Sequence, residues 1–299
     1  MVLLNIQVIL ILGKNGYVSK RFQKFFDYKG VEYITFSFRN TSQRQECMDY
    51  INNNRGKIKL IINCIGYTGV PNVDACEDNK EECLYVNSVF AEQLADYAKF
   101  SHIPFAHISS GCIYNNISNV LETYIPNFSF YNNNECSWYS GTKALGESLI
   151  RKTYDKHYIW RVRMPFNHID DGKNYISKII KYHKVWSSPN SLTNVDEFVQ
   201  SCYNMYIQGA PYGTYNVTNP DGISAKEILE IAKEYGITKE KYEYYETLEE
   251  FTKEIRAPRS NCVLNTDKLD STGCGLLPVE ESLRKTFESW NKQENIIFW

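Results

Sequence analysis

The chain has 299 residues, 43% of them hydrophobic and 23% charged, with a formal net charge of −2. That is enough apolar material for one large or two small domains with a sizeable core, and the dispersed charges form no basic stripe for nucleic acid or a membrane surface. The nine cysteines (47, 64, 76, 83, 112, 136, 202, 262 and 274) are odd in number and contain no Cys-x-x-Cys pair, which argues against a disulfide frame or zinc site and suits reduced thiols in a cytoplasmic setting.

Met1 to Leu12 is apolar, but it lacks a basic leader and a small-residue cleavage site and is too short to span a bilayer, so it reads as a buried first strand. Val8 to Leu12 runs directly into Gly13-Lys14-Asn15-Gly16-Tyr17-Val18-Ser19, followed by a helical pattern through Phe22, Phe25 and Phe26. Glycines at a strand-to-helix turn let backbone amides approach a pyrophosphate, and the helix N-terminus adds partial positive charge. A glycine pair alone is a weak signal; here strand, turn and helix follow in order. The next strand, Val31 to Phe36, ends in Ser37-Phe38-Arg39-Asn40 without the acidic residue that would hold an NAD ribose. Arg39, with Arg44, can instead pair with a 2′-phosphate, which makes NADPH the expected cofactor. An ordinary solvated arginine accounts for Arg39 equally well on this feature alone.

A third strand, Leu60 to Cys64, leads into the small and turn-forming residues Ile65 to Asp74, among them Gly66, Thr68 and Gly69, which suit a loop lying across cofactor ribose and substrate. Lys80 to Phe100 reads as one long helix. Its Asn87 either bridges backbone groups near a site or serves as a cap or surface residue. The run from Pro104 to Ile108 then ends in Ser109-Ser110-Gly111-Cys112-Ile113-Tyr114. A parallel strand ending here presents Ser110 and Cys112 to the crevice beyond its carboxyl end, although a turn with a small core cysteine is the commoner fate of such a stretch. Tyr139-x-x-x-Lys143 follows at the start of a helical pattern, with the phenol and the ammonium on one face. A cation there lowers the phenol pKa from about 10, as proton donation to a ketone requires.

Asn115 to Cys136 reads as a loop, and Tyr158 to Arg163 as a strand leading into Met164-Pro165. Beyond it the pattern gives a helix over Asn174 to His183, with Lys178 off the apolar stripe, which reads as a solvated lysine. A turn at Ser187 to Ser191, a helix at Asp196 to Ile207 and a strand at Gly213 to Val217 come next. Ser224 and Glu227 make a capping box before a helix at Ile228 to Tyr235. Ala257-Pro258-Arg259-Ser260-Asn261 is a candidate diphosphate clamp, and a last amphipathic helix runs from about Glu280 to Trp290. The expected architecture is α/β: a Rossmann-type doubly wound parallel sheet over residues 1–165, with sheet-edge segments from about 190–217, and a smaller C-terminal α/β substrate lobe in 166–299.

Gly13-Lys14-x-Gly16, Thr68-Gly69-x-Pro71-Asn72-Val73-Asp74, Gly111-Cys112-Ile113, Arg161 to Pro165, Pro189-Asn190-Ser191 and Ala257 to Asn261 together resemble the extended short-chain dehydrogenase/reductases that make deoxysugar nucleotides. Within that family they are similar to the bifunctional UDP-4-keto-6-deoxyglucose 3,5-epimerase/4-reductase branch, found as the C-terminal half of plant-type UDP-rhamnose synthases and as single-domain proteins, including in giant viruses. The likeness runs from about residue 5 to 290. It implies a reductive triad of Ser110, Tyr139 and Lys143, an epimerisation base at Cys112 and an acid at Lys178. It implies cofactor contacts from Gly13, Asn15, Gly16, Tyr17, Val18, Arg39, Gly66, Lys143 and Met164. The UDP-sugar would be met by Thr68, Gly69, Asn87, Asn167, Asn190, Ser191 and Arg259. A homodimer, no metal, and a supply of substrate from a UDP-glucose 4,6-dehydratase are also implied. Ser19 replaces the family's third glycine, Ser110 a threonine, and Cys64-Ile65 two alanines. Rival expectations are a pure dTDP- or UDP-4-keto-sugar 4-reductase and a non-catalytic nucleotide-binding regulator; the intact Tyr139 and Lys143 argue against the latter.

Overall fold

In the computed structural model the described residues are 7–70, 72–131, 136–238, 241–290 and 292. They form two units, one comprising Met1–Ser109, Ser129–Trp160 and Pro211–Thr214, the other Ser110–Phe128, Arg161–Ala210 and Tyr215–Trp299. Residues 110–128 thus group with the second unit and 211–214 with the first, so the chain passes between units several times.

The first unit is built around β1 (Val8–Leu12), whose five residues are all buried. A strand covered on both faces can be apolar throughout, and this run is. It leads into α1 (Tyr17–Lys29), β2 (Tyr33–Phe36), α2 (Arg44–Asn54) and β3 (Ile58–Asn63). β1 pairs in parallel with both β2 and β3. The predicted long helix is present in three pieces: α3 (Lys80–Leu84), a π-helical turn (Tyr85–Val89) and α4 (Phe90–Phe100). β4 (Phe105–Ser110) pairs in parallel with β3 and runs two residues further than the apolar pattern indicates.

The segment expected to be a loop contains β5 (Ile117–Val120). Polar Ser118 and Asn119 disguise it, because its ladder is with β12, far along the chain. α5 (Trp138–Thr153), β6 (His157–Val162), β7 (Pro165–Phe166), α6 (Tyr175–Ile179), β8 (Lys184–Val185), β9 (Thr193–Asn194), α7 (Val195–Ile207) and β10 (Gly213–Asn216) follow. The helix expected over 174–183 is therefore short: Asn174 caps its start by accepting from Ile176 N–H, and the chain must become extended again for β8. α8 (Ala225–Glu234) carries the predicted capping box. Then come β11 (Glu243–Tyr244), α9 (Leu248–Lys253), β12 (Cys262–Leu264), α10 (Asp267–Asp270) and α11 (Val279–Glu288).

The six-stranded sheet has the order β10-β6-β4-β3-β1-β2. Its winding reverses between β1 and β3, where an open parallel sheet leaves a crevice beyond the strand ends. Leu10, Leu12, Ile61, Phe90, Leu94 and Phe105 are central to the first unit's core, and Phe166, Ile179, Leu192, Ile228 and Leu283 to that of the second. The second unit's strands form the small parallel pairs β5–β12, β7–β9 and β8–β11.

Candidate active site

At the β1/β3 reversal lies a cleft of about 130 Å³ lined by Gly13, Asn15, Gly16, Arg39 and Gly66, all predicted, by Ile65 and Tyr67 of the predicted loop, and by Phe38, Cys64, Glu82 and Val86, which sequence reasoning missed. Gly13 is needed for two reasons: its φ is +85°, and a Cβ would come within 3.1 Å of the Cys64 carbonyl carbon. Gly16 caps α1 without a side-chain hydrogen bond, so nothing from the cap screens the helix end. The serine in place of a third glycine is accommodated locally, since Ser19 is buried and its hydroxyl donates to Lys14 O at 3.4 Å while accepting from Gln23 Nε2 at 3.2 Å. Asn15 Nδ2 donates to Ser37 Oγ at 3.0 Å, joining the loops after β1 and β2. The Arg39 loop is fixed by Gln43, which accepts from Arg39 N–H at 2.8 Å, and by Glu82, which accepts from Thr41 N–H at 3.3 Å and Thr41 Oγ1 at 3.1 Å. Tyr17 and Val18 lie in the first turn of α1 and do not line the cleft.

Asn87 sits in the π-helical turn and is fully buried. Of the readings open from sequence, backbone bridging is the one observed: its Oδ1 accepts from Tyr67 N–H at 2.8 Å, and its Nδ2 donates to Tyr67 O at 3.0 Å and to Thr142 Oγ1 at 3.1 Å. Irregular helical turns of this kind recur at functional sites because they re-aim one side chain. Thr68 and Gly69 continue the loop. Gly69 has φ +67°, and a Cβ would lie 2.3 Å from Asn72 O.

α5 starts with Ser137 accepting from Ser140 N–H. Four residues along the same face from Tyr139, Lys143 is buried, with its Nζ 2.9 Å from Ile108 O and 3.0 Å from His107 Nε2. Ser109 Oγ, on the adjacent residue of β4, donates to Glu147 Oε1 at 2.7 Å. Of the two neighbouring serines, Ser109 is thus engaged by a structural carboxylate.

In the second unit, Ser110 Oγ accepts from Cys112 N–H at 3.2 Å and caps the tight turn Gly111–Ile113. Cys112 is 9% exposed. The turn is pressed against β12: a Cβ on Gly111 would come 2.7 Å from Leu264 Cδ1, and Cys262 Sγ lies 3.2 Å from Gly111 O. Arg163 donates from Nη2 to Asn190 Oδ1 at 2.6 Å and to Ser260 O, and Ser191 Oγ accepts from Leu264 N–H at 2.9 Å. The predicted substrate residues Asn190 and Ser191 are therefore also what fastens β12. Asn167 O accepts from Asn174 Nδ2 at 2.7 Å, which ties Asn167 to the start of α6. Met164 adopts φ +39°, a strained value for a side-chain-bearing residue. Lys178 is not the solvated lysine its position off the apolar stripe suggests. It is half-buried, and burial, then the charge of Lys173, hold its pKa below the usual lysine range; Asp171 opposes this and Arg259 adds to it. Lys178 and Arg259 are thus electrostatic neighbours.

The fold and these residues define the class. Residues 7–291 match the RmlD substrate binding domain, and the chain belongs to that family; it is an enzyme of the dTDP-4-dehydrorhamnose reductase type, acting on a nucleotide sugar. More particularly, it is 33% identical over 296 residues to the bifunctional dTDP-4-dehydrorhamnose 3,5-epimerase/dTDP-4-dehydrorhamnose reductase of Arabidopsis thaliana, covering 96% of this chain and 94% of that one. It is also 33% identical over 293 residues to a trifunctional UDP-glucose 4,6-dehydratase/UDP-4-keto-6-deoxy-D-glucose 3,5-epimerase/UDP-4-keto-L-rhamnose-reductase of the same plant, of which the match spans 42%. Among solved structures, the L780 UDP-rhamnose synthase of Acanthamoeba polyphaga mimivirus superposes with a TM-score of 0.83 at 24% identity, covering 93% of this chain and 98% of that one. The dTDP-4-dehydrorhamnose reductase of Bacillus anthracis in complex with NADP gives 0.77 at 20%, covering 95% and 98%.

Proposed function

We propose that this protein converts UDP-4-keto-6-deoxy-D-glucose into UDP-β-L-rhamnose by epimerisation at C3 and C5 followed by reduction at C4, taking its substrate from a 4,6-dehydration step. The observation that carries the reading is the capped turn that sets the Cys112 thiol two residues beyond Ser110 at the end of β4. A reductase alone has no use for that thiol.

The C4 carbonyl acidifies the hydrogens at C3 and C5, so Cys112 as thiolate removes each in turn and Lys178 returns a proton from the opposite face. A free thiol has a pKa near 8.5 and a free lysine near 10.4, so both need their surroundings to shift them. The burial that weakens the Lys178 ammonium makes it the better acid. For the reduction, Tyr139 gives its proton to the C4 oxygen, Ser110 offers a hydroxyl to the same oxygen, and Lys143 supports the phenolate that forms. NADPH, when bound, supplies the hydride. The first unit's cleft fits it: Gly13 keeps the turn clear, the end of α1 is open to a pyrophosphate, and among the described residues no ion pair engages the Arg39 guanidinium, leaving it for a 2′-phosphate.

The test is NMR of UDP-4-keto-6-deoxyglucose in D₂O without NADPH. The wild type should exchange the C3 and C5 hydrogens, whereas Cys112→Ala should not, while still binding NADPH and reducing an already epimerised 4-keto-rhamnose nucleotide. Exchange at the wild-type rate in Cys112→Ala removes the thiol from the mechanism. No exchange in the wild type leaves a pure 4-reductase.

A further inference from the structure

Arg39 and Asn40 are strung between two anchors on the helical wall formed by α3 and α4. On the strand side the Phe38 ring stacks on Phe90 of α4, with centroids 4.8 Å apart. On the far side Glu82 of α3 takes two bonds from one residue: Oε1 accepts from Thr41 N–H at 3.3 Å and Oε2 from Thr41 Oγ1 at 3.1 Å. Among the described residues, the other hydrogen bonds of this loop stay within it and the start of α2. Gln43 accepts from Arg39 N–H at 2.8 Å and donates to Glu46 Oε2 at 3.2 Å, and Asn40 Oδ1 accepts from Ser42 N–H at 3.0 Å. Such local bonds give a loop its shape. Where it stands against the cleft is left to the anchors.

We propose that Glu82 is a positioning residue for cofactor choice: by latching Thr41 to α3 it holds the Arg39 loop where the guanidinium meets a 2′-phosphate. The proposal rests on the reading of Arg39 given above. Without the latch the loop must be ordered as NADPH binds, and the entropy of ordering it is subtracted from the affinity. NADH, which offers Arg39 no phosphate, does not draw on the loop. Glu82 also lines the cleft, and on charge alone a carboxylate there repels a phosphate, so that removing it would tighten NADPH binding. Latch and repulsion therefore predict changes of opposite sign.

Fluorescence titration with NADPH and with NADH, in the absence of any sugar, separates them. Glu82→Ala should weaken NADPH binding by about tenfold and NADH binding by less than about twofold. Glu82→Gln should bind NADPH at least as tightly as the wild type, because its carbonyl accepts from Thr41 N–H and its NH₂ donates to the Thr41 hydroxyl oxygen with the charge gone. Thr41→Val removes one of the two latch bonds and keeps the carboxylate; it should weaken NADPH selectively by about threefold. Since Glu82 acts through Arg39, the double variant Arg39→Ala/Glu82→Ala should bind NADPH no more weakly than Arg39→Ala. Unchanged or tighter NADPH binding in Glu82→Ala overturns the proposal, as do equal losses for both cofactors or additive losses in the double variant. If Glu82→Ala does not fold, a wild-type preference in Thr41→Val overturns it equally. The reading of Arg39 fails separately, when Arg39→Ala alone weakens both cofactors to the same extent.

Discussion

Arg39 lines the cleft at the β1/β3 reversal, on a loop pinned by Gln43 and Glu82, so its guanidinium is presented by a fixed backbone. Because a 2′-phosphate is the chemical difference between the two nicotinamide cofactors, Arg39→Ala should raise the KM for NADPH by about tenfold or more and leave that for NADH nearly unchanged. Equal effects in steady-state kinetics with both cofactors would remove Arg39 from discrimination. The places of Arg39, Cys112, Tyr139 and Lys143 in the fold were legible in the sequence because each has a fixed offset from a strand end or helix start. His107 was not, since nothing local marks a histidine in β4 as the partner of a lysine on another element. Lys178 was misread for a related reason: helical periodicity places a residue on a face but does not show the groups beyond the helix that act on it, Asp171 and Lys173 just before α6 and Arg259 far along the chain.

The π-helical turn and α5 approach so closely that a Cβ on Gly146 would lie 2.2 Å from Asn87 O. Contact at backbone distance is what lets Asn87 reach Thr142, and lets Ser88 Oγ donate to Thr142 O at 2.8 Å. Gly146→Ala keeps a good helix former in α5 but must push the turn away. It should cost about 1–3 kcal/mol of stability and displace the Tyr67 loop from the cofactor cleft. Calorimetry and NADPH titration would check this; unchanged cofactor affinity in a destabilised variant would mean that the loop is held by other contacts. The sequence announced one long helix over Lys80 to Phe100 and not the turn that divides it, because the helical pattern continues on both sides of the turn. β5 escaped for the opposite reason: its alternation is too polar and too short to register, and only the ladder with β12 makes it a strand. The main sheet was legible because β1, β3 and β4 are buried runs with turn residues at their ends.

Across the whole molecule the charges nearly cancel, so stability against pH is governed by a few buried groups. Glu197 is one. Burial pushes its pKa up to about 6, against the hydrogen bonds it accepts from Ser282, Leu277 and Asn219. A carboxyl with a higher pKa folded than unfolded binds more protons in the native state, so its contribution to stability is lost as pH rises from about 4.5 to about 6. Glu197→Gln, whose carbonyl keeps the acceptor for Asn219 and Leu277 while its NH₂ meets a turned Ser282 hydroxyl without charge, should be more stable than the wild type at pH 7 by about 1–2 kcal/mol, with the gain fading below pH 4.5. Thermal midpoints measured from pH 4 to 7.5 would show it, and a difference independent of pH would count against Glu197 as the titrating group.

The pairing of β5 with β12 also sets a timetable for biosynthesis. Ile117 must wait for Cys262, which leaves the ribosome on the order of ten seconds later at ordinary elongation rates. Until then the nascent chain carries an unpaired strand and β6 lacks its neighbour β10 in the sheet. Such edges are templates for pairing with other chains, so the growing polypeptide passes through an aggregation-prone interval that the finished fold conceals.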